Sequence, residues 1–132
     1  MAEHPNVALV RRAMQAMTEQ DMSKAQQEMA VVDAFMADDI VWHEIGRAEP
    51  RRGKDELRAA MMSGAQDWTI AYEIHDVIAN DDHAVALGTA TATRGDATLV
   101  YRTAEIFHIR DGTAVERWAF SDDTAAITAF FA

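Results

Sequence analysis

At 132 residues the chain suits one domain (residues 1–132) that buries roughly two thirds of its unfolded surface, and with 49% hydrophobic residues a packed core is within reach. There are 22 acidic against 12 basic side chains, a formal charge of -10 that repels phosphate backbones and anionic lipid surfaces, so neither nucleic acid nor a membrane is an expected partner. The lack of cysteine excludes disulfides, thiolate nucleophiles and sulfur-ligated metals. No window reaches the ~20 apolar residues of a membrane span. The first residues, MAEHPNVALVRRAM, carry no apolar core of signal-peptide length, so a cytoplasmic protein is expected.

Asn6 is placed to cap a helix whose stripe is Val7, Val10, Met14 and Met17. Gln20-Asp21 interrupts it. Ser23 and Gln26 have capping-box spacing, and Ala25, Met29, Val32 and Met36 give a second stripe, its methionines read as core fillers. Asp38-Asp39 ends the helical region, and residues 40–45 read as a strand. Residues 46–53, with Pro50 and three arginines, read as a loop. A shorter helix over 55–66 turns Leu57, Ala60 and Met61 inward and stops near Gly64. Strands follow over 68–78 and 83–93, joined by Asn80-Asp81-Asp82.

The next stretch, TLVYRTAEIFHIRDGTAVERWAFSDD, holds two β-rich runs around Asp111-Gly112, a strong hairpin signal because Gly accepts positive φ. Asp122 or Asp123 then caps a terminal helix carrying Ile127, Phe130 and Phe131. Helices segregated from an antiparallel meander of four strands predict an α+β fold. Strands longer than ten residues must coil or bulge, so a curved sheet is expected.

Several segments together resemble the SnoaL-like branch of the nuclear transport factor 2-like superfamily. They are DDIVWHEIG at 38–46, RRGKDEL at 51–57, HDVIANDDHAVAL at 75–87, and Phe107 through IRDG to Trp118 with the amphipathic helix that follows. The resemblance implies a cone-shaped α+β barrel, a strongly curved, mostly antiparallel sheet wrapped around N-terminal helices, closed by a short C-terminal helix. It implies a hydrophobic cavity, a homodimer joined through the outer sheet face, and activities from polyketide cyclisation and steroid isomerisation to epoxide hydrolysis. Where the epoxide-hydrolase branch carries an aspartate, this chain has Phe120, and its loop at 46–53 is short and arginine-rich.

Alternation from Leu99 puts Tyr101, Thr103, Glu105 and Phe107 on one strand face. On the partner strand Glu116, Trp118, Phe120 and Asp122 alternate with Val115, Arg117 and Ala119. The resemblance turns Phe107 and Trp118 toward the cavity, although a single bulge would reverse part of this. Glu105 is the first catalytic candidate, since burial suits a carboxyl to general acid–base work. The plainer reading pairs it with Arg102 or Arg117, or sends it to solvent at the cone mouth. His43 could relay a proton, and Asp122 is a third candidate because relatives carry a functional acid nearby. Trp42, Tyr101, Thr103, Phe107, Trp118 and Phe120 are the expected substrate contacts. His43-Glu44 lacks a histidine at helical spacing, so no metal is expected, and no phosphate loop or dinucleotide fingerprint calls for a cofactor. The expected function is a cofactor-independent isomerase, cyclase or hydratase acting on a small hydrophobic molecule. The alternative is a non-catalytic ligand-binding or dimeric assembly module.

Overall fold

Capping and apolar spacing set the first helix. A computed structural model describes residues 3–18, 22–62 and 67–132, with the side chains of 22, 61 and 62 outside the description. Helix α1, Pro5–Met17, begins with a proline whose fixed φ suits the first turn. The cap is His4, whose Nδ1 accepts from the Asn6 amide at 3.1 Å. The expected cap, Asn6, instead donates its side-chain amide to the carbonyl of Asn80 at 2.9 Å, tying the helix to a strand turn. Val7, Val10, Ala13 and Met14 are buried on one face, as the stripe requires.

Helix α2, Met22–Phe35, runs directly into strand β1, Met36–His43, so Met36 begins a strand where the stripe placed a helical residue, and Met29, expected to fill the core, is instead exposed on the helix's outer side. Pairing of Met36 with Ala114 outweighs the local helical pattern, and the register shift before Val41 leaves Asp38 and Asp39 exposed. Strand β2, Arg51–Arg52, pairs with β1 inside the stretch expected to be a loop. Helix α3 spans Lys54–Met62 and buries Leu57. The expected interruption at Gln20-Asp21, the side chain of Met61 and the helix end at Gly64 lie outside the described residues. Strands β3, Trp68–Ala79, β4, His83–Arg94, β5, Ala97–Arg110, and β6, Thr113–Ser121, form the meander. Helix α4, Thr124–Phe131, is capped by Asp123, which accepts from the Ala126 amide at 3.0 Å.

The strand order is β2-β1-β6-β5-β4-β3, antiparallel throughout except for the parallel β1–β6 pair. The fold is α+β as expected, but β2 and β3 are free edges and the sheet is not closed into a barrel. No helix among the described residues is long and apolar enough to cross a membrane.

One face of the sheet packs on the helices. On β4 this face is Ala84, Ala86, Gly88, Ala90 and Ala92, all buried. Such small side chains let neighbours come close, and a Cβ on Gly88 would stand 2.7 Å from the Glu73 carbonyl oxygen. Phe107 fills the space left over them, fully buried and edge-on to Phe35 with centroids 5.3 Å apart. The β5–β6 turn has Asp111 at φ 53° and Gly112 at φ 78°, the two positive values of a type I′ hairpin.

Two bulges matter to the site. β3 shifts register between Ile74 and Asp76, and the β5–β6 ladder shifts after Ile109↔Ala114, so that His108 pairs with Glu116 and Val115 is the extra residue. Because Phe107 anchors the packing of α2 on the sheet, Phe107→Ala is expected to lower stability by about 3–5 kcal/mol. Urea denaturation at constant m-value measures this, and Phe107→Leu should lose distinctly less.

Candidate functional site

The β6 bulge decides what the site contains. Beyond it Phe107 pairs with Arg117 and Glu105 with Ala119, so Arg117 shares the buried face with Tyr101, Thr103, Glu105 and Phe107. Trp118 pairs with Ile106 and Phe120 with Ala104 on the opposite face. The expected inward facing of Trp118 and Phe120 is therefore reversed, because one inserted residue flips every side chain after it. Phe120 is 56% exposed.

His43 also lies on the outer face. Its ring stacks on Trp118 at 5.6 Å, and Nε2 shares a 2.7 Å hydrogen bond with Glu116 Oε2. It does not meet Glu105 across a cavity, as a proton relay between them would need. Asp122 is exposed, and its Oδ1 accepts from the backbone amide of Arg102 at 3.1 Å. His75 bonds Thr89 Oγ1 at 2.8 Å among exposed residues, and His108 stacks on His83 at 4.9 Å.

On the inner side a cavity of about 560 Å³ opens between the helices and the sheet. Its walls are mostly aliphatic and aromatic, with Trp42, Trp68, Tyr72 and Tyr101 beside Ile127 and Phe131 of α4. Arg117 is the cation in this wall, and Glu44, paired with Arg51 at 2.7 Å, is the anion. Of the expected contacts, Trp42 and Tyr101 line the cavity, while Thr103 and Phe107 are buried behind it.

Arg117 is held from three sides. Its Nε donates to Glu105 Oε1 at 3.1 Å and Nη2 donates to the same oxygen. Its Nη1 donates to the His43 carbonyl at 3.0 Å, and its guanidinium carbon stands 4.3 Å from the centroid of the Trp42 ring. The side chains of Arg117 and Glu105 are 7% and 3% exposed. A carboxylate so deeply buried requires a partner, and Arg117 supplies it. Three of the guanidinium's five N–H donors are used by these bonds, which leaves donors for a ligand. Glu105 Oε2 and Thr103 Oγ1 are buried without a hydrogen-bond partner.

Tyr72 and Tyr101 flank Ala90 across three strands. Burial raises the pKa of both phenols, and the negative charge of Glu105 raises them further. Sequence reasoning did not single out Tyr72 or Trp68, and considered Arg117 only as a partner for Glu105. Position 117 reads as outward until the bulge is known. Among the described residues no group of three or more histidine, aspartate or glutamate side chains could hold a metal ion.

A curved sheet with helices and an apolar cavity on one face defines a small-molecule pocket architecture. Residues 10–117 match the model of the SnoaL-like domain, and the chain belongs to the SnoaL-like family. No curated protein matches the chain in sequence. Among solved structures it is similar to an NTF2-like protein of unknown function from Burkholderia pseudomallei K96243, at TM-score 0.79 and 20% identity over 98% of each chain. It is similar to Bal32a from a soil-derived mobile gene cassette, at TM-score 0.76 and 20% identity over 96% of each chain. It also resembles TerC, co-crystallised with polyporic acid, at TM-score 0.75 and 16% identity over 95% of this chain and 97% of that one. At such identities the likeness is one of fold.

The tyrosines make a pH prediction. A phenol whose pKa is raised by folding stabilises the protein fully below its unfolded value of 10.0, and that contribution is lost as pH rises through the folded value. Stability to urea should therefore fall above about pH 10, and Tyr72→Phe should flatten the fall. A decline of equal steepness in that variant would show that other groups cause it.

Proposed function

We propose that this protein takes a small hydrophobic molecule into the cavity and moves a proton on it, as an isomerase, cyclase or hydratase-like enzyme. One observation carries the reading: a mostly aliphatic and aromatic cavity is lined at one wall by Arg117, whose guanidinium is paired with the buried Glu105 carboxylate behind it. A cavity of this volume suits a small organic ligand. The spare N–H groups of Arg117 face an oxygen of the ligand and stabilise negative charge developing there, as in an enolate. Glu105 lies behind Arg117, outside the cavity lining, and its Oε2 has no competing partner, so it is the oxygen assigned to accept and return the proton of a ligand that reaches past the guanidinium. Trp42 and Tyr101 position the ligand, and Tyr101 supplies a further hydroxyl. His43, Asp122, Trp118 and Phe120 stand outside this arrangement, on the outer face or at its rim. TerC, of similar fold and co-crystallised with polyporic acid, supports a ligand-binding role.

Trp42 and Trp68 line the cavity, so quenching of tryptophan fluorescence reports ligand binding in a screen of aromatic enones and phenols. With a turned-over substrate in hand, Glu105→Gln is expected to keep ligand affinity within a few fold and to lower kcat by about 10²-fold or more. Undiminished kcat would remove Glu105 from the chemistry, and binding without turnover by the native protein would leave a ligand carrier.

A second observation favours a homodimer alongside this role. The outer sheet face exposes Ile78, Leu87, Val100 and Phe120, at 59%, 38%, 61% and 56%. Such a patch on a sheet calls for a cover, and a second copy meets it face to face. Sedimentation should give a dimer mass that Phe120→Glu shifts to monomer at the same concentration, whereas a native monomer would refute the pairing.

A further inference from the structure

Beside the main cavity lies a second chamber of about 180 Å³, formed by Arg11, Met14 and Gln15 of α1 and by Ile74 of β3. Two residues line both spaces, Thr18 and Tyr72. They form one unit, since the Tyr72 amide donates to Thr18 Oγ1 at 3.1 Å. β3 is an edge strand, so this bond occupies a backbone donor that no neighbouring strand can use and fixes the end of α1 against the sheet. Tyr72, largely buried, and Thr18 together border both spaces. The second chamber is partly open to solvent, apolar at Met14 and Ile74 and polar at Gln15, Thr18 and Arg11, which stands 3.8 Å from Asp76.

We propose that Tyr72 is a bulkhead that sets the length of ligand the protein accepts. With the ring in place only the main cavity is available, and the ligand is a compact hydrophobic molecule without a long aliphatic arm. With the ring shortened, the two spaces join and an arm extends into the chamber under α1. The inference rests on the reading of the main cavity as a ligand site and adds the class of molecule it admits.

The test is a series of 4-n-alkylphenols, butyl to dodecyl, titrated against the full chain with tryptophan fluorescence as readout. Each buried methylene is worth about fourfold in affinity (about 0.8 kcal/mol), so affinity climbs with chain length until the cavity is full and then stops. Tyr72→Leu and, as a second variant, Tyr72→Ala should move that break to longer chains by at least two methylenes, tightening those members by more than about tenfold. Tyr72→Phe should leave the break where it is, since it removes only the hydroxyl. Gln15 is an exposed residue lining the second chamber, so Gln15→Trp in the Tyr72→Leu background fills that space and should restore the short limit. An unchanged break in a Tyr72→Leu protein with native circular dichroism would overturn the bulkhead while leaving the ligand site standing. Failure of every member to bind the native protein would overturn the ligand site, and the bulkhead with it.

Discussion

The pairing of Glu105 with Arg117 is the constraint around which the interior is arranged. Moving either charge alone out of water costs several kcal/mol, so neither residue can occupy its place without the other. Their meeting depends on the β6 bulge, which turns Arg117 to the buried face opposite the strand that carries Glu105. The same guanidinium is braced by the His43 carbonyl and the Trp42 ring, so β1, β5 and β6 are joined at one point. The parallel β1–β6 contact, the most remote pairing in the sheet, is thus reinforced by a side chain that also faces the cavity.

The two faces of the sheet divide the labour. On the inner face, alanines and a glycine along β4 leave room above the strand, and Tyr72, Tyr101 and Phe107 occupy part of it. What remains unfilled is the cavity, its walls completed by helices that the sheet does not touch evenly. α4 contributes Ile127 and Phe131 and is held by Arg94, which donates from Nη1 to the carbonyls of Phe130 and Ala132 at 2.9 Å each. A basic side chain on the last-turn carbonyls satisfies acceptors that a helix end leaves open. On the outer face the aromatic and histidine side chains stack on one another, His43 on Trp118 and His83 on His108, and the apolar residues between them remain exposed.

This division recasts the roles of the polar residues. His43 and Glu105 lie close in strand order yet on opposite sides of the sheet, with backbone between them. The polar groups on the sheet side of the cavity therefore include Arg117 and two tyrosines, with the buried Glu105 carboxylate behind the cation and Glu44 paired with Arg51 elsewhere in the wall. Of this ion pair, the guanidinium is the member that lines the cavity.

The sequence by itself determined the main helices, the meander strands and the family, but not β2. Apolar stripes placed α1, α2 and α3, the Asp111-Gly112 pair placed the hairpin, and alternation placed Tyr101, Thr103, Glu105 and Phe107 together, because each of these is encoded over a few neighbouring residues. Only the tertiary structure decided the facing of β6 and of His43, the strand character of Met36, and the open edges of the sheet. The reason is physical. A β-bulge leaves no local signature at Ala114-Val115, yet it inverts every later side chain, so that Trp118 turns out and Arg117 turns in. The cavity, likewise, is bounded by residues as distant as Met17 and Phe131, and its shape follows from how the helices settle on the sheet.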